Sequence, residues 1–97
     1  MLFAVICADK PGHLNLRMET RPPHVEWLNG LNAAGQLKIA GPFLDADGKP
    51  CGSMLIIAAD DIEAAKALAA QDPYAKAGLF ESVDIKPYNW VFNNPEA

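Results

Sequence analysis

Arg21-Pro22-Pro23-His24 separates an apolar amino-terminal stretch from a run with helical periodicity. Proline fixes φ and lacks a backbone donor, so it suits the first turn of a helix and not its interior. It also pushes the residue before it out of the α region. The pair predicts a helix over 23–34, closed by Gly35 in a left-handed cap. At 100° per residue, His24, Trp27, Leu28 and Leu31 share one stripe, which is the core-facing one. His24 is then expected beside the positive end of the helix dipole, as a neutral ring able to take a proton. The competing reading is a structural histidine bonded to a backbone group under a sheet, and residue type alone leaves both open.

Upstream of this stretch, 2–8 reads Leu-Phe-Ala-Val-Ile-Cys-Ala, apolar at every position. It predicts a strand buried on both faces, ending at the turn Asp9-Lys10-Pro11-Gly12. The run is far too short to span a membrane. It also lacks the positive region that precedes the apolar core of a secretory signal. Residues 13–19 predict a short helical lead-in, with Arg17 and Arg21 four apart on one side.

Downstream, 36–43 predicts a second strand with Leu37 and Ile39 inward and Lys38 outward. Gly41-Pro42 within it suggests a bulge or an edge position. Residues 45–50 form a hairpin loop, and 54–59 predicts a third strand, again apolar on both faces. Asp60, with Glu63 three residues on, predicts a capping box. The helix it opens buries Ile62, Ala65, Leu68 and Ala69. Asp72-Pro73 breaks that helix, and 73–76 adds one turn closed by Gly78. Residues 79–85 predict the last strand, with Val83 and Ile85 inward. Pro87 weakens pairing there, and 88–92 continues as an aromatic tail.

The order is strand, helix, strand, strand, helix, strand. That is the α+β, ferredoxin-like βαββαβ pattern, with helices on one face of an antiparallel sheet. The opposite face of such a sheet is normally polar. Here the first and third strands are apolar on both sides. The expectation is a homodimer in which two sheets face each other.

Length and charge narrow the function. The 97 residues predict one domain over 1–97, and 51% hydrophobic residues exclude disorder. A net charge of −4 without a basic cluster argues against a nucleic-acid partner. Cys7 and Cys51 are too few for a disulfide framework and fit a reducing cytoplasm. Cys7 is expected buried and Cys51 exposed near a turn. No histidine or cysteine stands at metal-ligand spacing, and no phosphate loop, serine elbow or dinucleotide fingerprint is present. The expectation is therefore a small-molecule ligand, with no cofactor, metal or membrane involved.

Two helix-associated groups are candidates for chemistry. Asp72 continues the inward stripe of Ile62, Ala65 and Ala69, although it also suits a cap with Pro73 at the first helical position. His24 and Asp72 lie on elements packed against the same sheet face. An aspartate beside a neutral imidazole would fix its tautomer and make it a better base. Arg17, Arg21, Ser53 and Tyr74 are candidate substrate-binding residues. For the two arginines, solvated charges on a helix face are the competing reading.

The chain resembles the YciI-like, or YCII-related, family. The carriers are the 2–8 strand followed by Asp9; then Arg17, Arg21 and Pro22 ahead of His24; Gly35 with Gly41-Pro42; and Gly52-Ser53. Asp72-Pro73-Tyr74 with Ala77-Gly78, Lys86-Pro87 and Val91-Phe92 complete the set. The resemblance spans nearly the whole chain. It implies a ferredoxin-like fold paired into a dimeric α/β barrel, and a site built on His24 and Asp72. It also implies that some members eliminate HCl from chlorinated hydroxyquinols. The leading expectation is a cofactor-independent lyase or isomerase acting on a small cyclic or aromatic anion, with His24 moving the proton and Asp72 orienting it. A non-catalytic ligand-binding or accessory protein is the alternative, and a cofactor-free oxygenase is a third reading.

Overall fold

The structure, a computed structural model, describes residues 1–96. In chain order its elements are β1 (Leu2–Asp9), α1 (Leu14–Ala33), β2 (Leu37–Leu44) and β3 (Pro50–Ala58). They continue with α2 (Ile62–Ala69), α3 (Pro73–Lys76) and β4 (Phe80–Tyr88). The four strands pair antiparallel in the order β2-β3-β1-β4. This is the ferredoxin-like α+β arrangement expected. No helix among the described residues is long and apolar enough to cross a membrane.

The first helix departs from its predicted bounds. It begins at Leu14, not at Pro23, and runs through Pro22 and Pro23. Two prolines in a helix interior leave the carbonyls of Met18 and Glu19 without their intrahelical donors. Met18, Glu19, Pro22 and Pro23 are all exposed, so water is at hand for those groups. What holds the helix together is its opposite side, where Arg17, His24 and Leu31 are buried at intervals of about two turns. Tertiary burial of that stripe overrides the local preference. His24 consequently lies mid-helix, and the dipole argument for it falls away. The carboxyl end is as expected. Gly35 takes φ 75°, its N–H donates to the Asn32 carbonyl, and Gln36 N–H donates to the Leu31 carbonyl.

Other boundaries shift less. Asp61, not Asp60, caps α2, its side chain accepting the Ala64 N–H at 2.8 Å. The strand β3 starts at Pro50, four residues before the expected Met54. The last strand runs past Ile85 to Tyr88, with Pro87 opposite Phe3. β4 is an edge strand, where a missing ladder donor is tolerated.

A bulge in β2 corrects a further expectation. Leu37 pairs with Ile57, but Ile39 pairs with Ile56, so Lys38 is the extra residue. Ile57 and Ile56 point to opposite faces of the sheet. Leu37 therefore faces the helices and Ile39 faces away, not inward as its alternation suggested. Val83 stands opposite Cys7 on the helix side, yet it is exposed at the sheet edge.

Phe3, Val5 and Cys7 from β1 meet Leu55 and Ile57 from β3 and Ala65 from α2, forming the buried core. The other sheet face is apolar along β1, β2 and β3 but open in places, and polar along β4, where Asp84 and Lys86 stand opposite Ile6 and Ala4. Ile6, Ile39 and Phe43 are 36%, 39% and 41% exposed. The carboxyl-terminal segment reaches back toward β2, where Lys38 Nζ donates to Glu96 at 2.8 Å.

Candidate functional site

On the helix-covered face, a cleft of about 250 Å³ opens between α1 and the β2–β3 hairpin. The Lys38 bulge shapes it. Beyond the bulge, Ala40 pairs with Leu55 and Pro42 with Ser53, so small residues of β2 face the helix. Without that shift, Ile39 and Phe43 would point into the same space and fill it. Arg17, Arg21, His24, Ser53 and Tyr74 supply the polar lining, while Leu28 and Leu55 supply apolar wall.

His24 and Asp72, far apart in sequence, are in contact. Nδ1 of His24 lies 2.7 Å from Asp72 Oδ1, and both side chains are buried. The same oxygen accepts the Tyr74 backbone N–H at 2.9 Å, so Asp72 both caps α3 and touches the histidine. One carboxylate oxygen thus serves both contacts. A carboxylate only accepts hydrogen bonds, so the histidine proton sits on Nδ1. In the neutral ring Nε2 then carries the lone pair. It has no protein partner among the described residues and is not enclosed, and the ring lines the cleft.

Tyr74 carries the imidazole on its face. The two rings stack with centroids 3.8 Å apart and a 16° tilt between planes. Phe80 meets the tyrosine edge-on at 6.1 Å, which fixes the ring from another side. The Arg17 guanidinium carbon lies 4.6 Å from the Tyr74 centroid. Arg17 and His24 stand about two turns apart on α1, so the tyrosine ring fits between them. Burial pushes the Tyr74 hydroxyl up, Arg17 and Arg21 pull it back, and the net direction is upward. The phenol keeps its proton.

The arginines differ from each other. Arg17 is buried, and its Nε and Nη2 donate to the two oxygens of Asp9 at 2.6 and 3.0 Å. Nη2 also donates to Ser53 Oγ at 2.7 Å. Burial opposes the guanidinium charge, but the bonds and charge of Asp9, together with Tyr74, outweigh it and raise Arg17 further. Arg17 is therefore a neutralised donor and not a solvated surface charge. Arg21 is exposed at the cleft and has no ion-pair partner among the described residues.

Asp9 is the residue that the sequence reading missed as part of the site, having placed it in a turn. The signal was the two-residue alternation: Phe3, Val5, Cys7 and Asp9 share one face of β1. Behind the dyad, Cys7 is buried as expected. Burial, with the charges of Asp72 and Asp9, pushes its thiol up to about 12. Cys51 is exposed. Among the described residues no cluster of His, Cys, Asp and Glu could hold a metal ion.

Comparison with known proteins places this geometry in a family. The YCII-related domain matches residues 1–89. Protein YciI of Escherichia coli O6:H1 is 37% identical over 98 aligned positions, covering 95% of this chain and 100% of that protein. An uncharacterized protein of Haemophilus influenzae is 35% identical over the same coverage. Among solved structures, the chain is similar to the 5-chloro-2-hydroxyhydroquinone dehydrochlorinase TftG of Burkholderia phenoliruptrix, in complex with 2,5-dihydroxybenzoquinone. The TM-score is 0.86 at 30% identity, over 97% of this chain and 99% of that one. Fold, match along the chain and identity to these relatives agree: the protein belongs to the YCII-related domain family.

Proposed function

We propose that this protein is a cofactor-independent acid–base enzyme of lyase or isomerase type, acting on a small cyclic or aromatic anion. The observation that carries the proposal is the 2.7 Å bond between His24 Nδ1 and Asp72, which leaves Nε2 free at the cleft. In this reading Nε2 takes a proton from the substrate. The electron pair left behind forms a new double bond. In an elimination it expels the leaving group as an anion, and in an isomerisation a different carbon is reprotonated. Asp72 holds the imidazolium until the proton moves on. Arg21 attracts the anion, and Arg17, Ser53 and Tyr74 bind its oxygens. Likeness to a dehydrochlorinase supports an elimination.

The test is chloride release from 5-chloro-2-hydroxyhydroquinone, compared between the wild type and His24→Asn. The expected result is turnover above the uncatalysed rate, reduced about 10²–10⁴-fold in the variant with its fold retained. Binding and release of the compound unchanged by the wild type would instead make the protein a ligand-binding module. Undiminished turnover in the variant would remove His24 from the chemistry.

The working unit we propose is a homodimer, with two open sheet faces packed together. The exposed Ile6, Ile39 and Phe43 on that face support it. Light scattering that gives the mass of one chain at micromolar concentration would contradict it.

A further inference from the structure

We infer that Asp9 is a positioning residue for the ligand, acting through Arg17. The inference rests on the proposed reading of the cleft. Asp9 does not line the cleft, but Arg17 does. The carboxylate takes Nε and Nη2 of Arg17 in a two-point fork, and Nη2 also holds Ser53. Both charged side chains are nearly closed off, at 5% and 7% exposure. A guanidinium has five N–H donors in a fixed plane. The fork and Ser53 occupy those on Nε and Nη2. The two on Nη1 are used by neither Asp9 nor Ser53, and the Tyr74 hydroxyl lies within reach of the guanidinium.

The arrangement divides the labour of the cleft. Arg17, neutralised by Asp9, offers directional donors without net charge. Ser53 accepts from Arg17, so its own proton is free to be donated to the ligand. These groups suit a carbonyl or hydroxyl oxygen on a ring. Arg21, without a carboxylate, suits the anionic group. The plain alternation of β1 aims Asp9 at the same face as Phe3, Val5 and Cys7, and the β1–β4 register shift beside it places the extra residue, Glu81, on β4. The substrate class is thus a ring with two distinct oxygen functions, one neutral and one anionic.

The test uses calorimetric titration with 2,5-dihydroxybenzoquinone on three proteins: the wild type, Asp9→Glu, and the double variant Asp9→Asn/Arg17→Gln. Asp9→Glu keeps the charge but moves it by one methylene. The double variant leaves no unpaired buried charge, so both should stay folded. We expect Asp9→Glu to weaken binding at least tenfold, close to the double variant, with the His24 ring signals in the ¹⁵N spectrum unchanged. Binding by Asp9→Glu equal to the wild type, or by the double variant equal to the wild type, would overturn the inference. If the wild type itself does not bind the quinone, the ring-substrate reading fails. Asp9 is then judged on the Arg17 Nε–H signal: sharp in the wild type and averaged in Asp9→Glu supports its role, and no difference overturns it.

Discussion

Along the helix-covered face, β1 presents Phe3, Val5, Cys7 and Asp9 in turn, while β3 presents Ile57, Leu55 and Ser53 opposite the first three. At one end the pair is Phe3 with Ile57, each 1% exposed. At the other, Cys7 meets Ser53, and Asp9 and Ser53 together hold a buried arginine. One strand pair thus begins as core and ends as a polar pocket. The alternation of side chains is the same at both ends, and only the residue type changes. The apolar end provides rigidity, and the polar end inherits it. A site grown from the last residues of core strands is held by the same ladder that holds the core.

Perturbing the two ends should separate stability from chemistry. The largest effect on stability is expected at the apolar end: Phe3→Ala should cost about 3–5 kcal/mol by chemical denaturation. That is a large share of what a domain of this size has. A loss below 1 kcal/mol would mean that this end is not the anchor. Gly52 lies at the junction. A Cβ there would collide with the Cys7 carbonyl oxygen, and Phe43 is also close. Gly52→Ala should cost about 1–3 kcal/mol, as overpacked sites do, and should also weaken ligand binding, because the neighbouring Ser53 and its Arg17 bond must shift. Stability loss with intact binding would show that the two ends are less tightly joined than described.

The smallest effect is expected at Cys7. Its thiol stands at about 12 in the folded chain, against an ordinary 9.0. The unfolded chain therefore loses the proton first. The stability that the thiol contributes is complete below about pH 9 and is lost as pH rises toward 12. Thermal unfolding at pH 8 and pH 11 should show a larger alkaline loss in the wild type than in Cys7→Ala. Equal losses would mean that the thiol is not held protonated by burial.

Locally encoded parts of this architecture were legible in the sequence. The 2–8 strand, the Gly35 cap and the Asp72-Pro73 start of α3 each rest on a few neighbouring residues, and each was found where expected. His24 and Asp72 were legible as candidates because both fell on inward stripes. Their contact depends on how α1 and α3 dock, which no stripe encodes. The start of α1 was misread because two prolines argue locally against a helix that burial imposes from outside. The Lys38 bulge was hidden for a related reason. A register shift is a property of the strand pair, and it reversed Ile39 while admitting Ala40 and Pro42 to the cleft. The Asp9–Arg17 fork joins a strand end to a helix and left only an alternation as its trace.

The most direct test of the account is the ¹⁵N spectrum of the His24 ring, in the wild type and in Asp72→Ala. The bond to Asp72 requires the proton on Nδ1, protected from exchange, with Nε2 as an acceptor facing the cleft. That tautomer is expected in the wild type, and its loss, with fast exchange at Nδ1, in Asp72→Ala. A wild-type ring protonated on Nε2, or a ring indifferent to the removal of Asp72, would contradict it and leave His24 as a structural histidine.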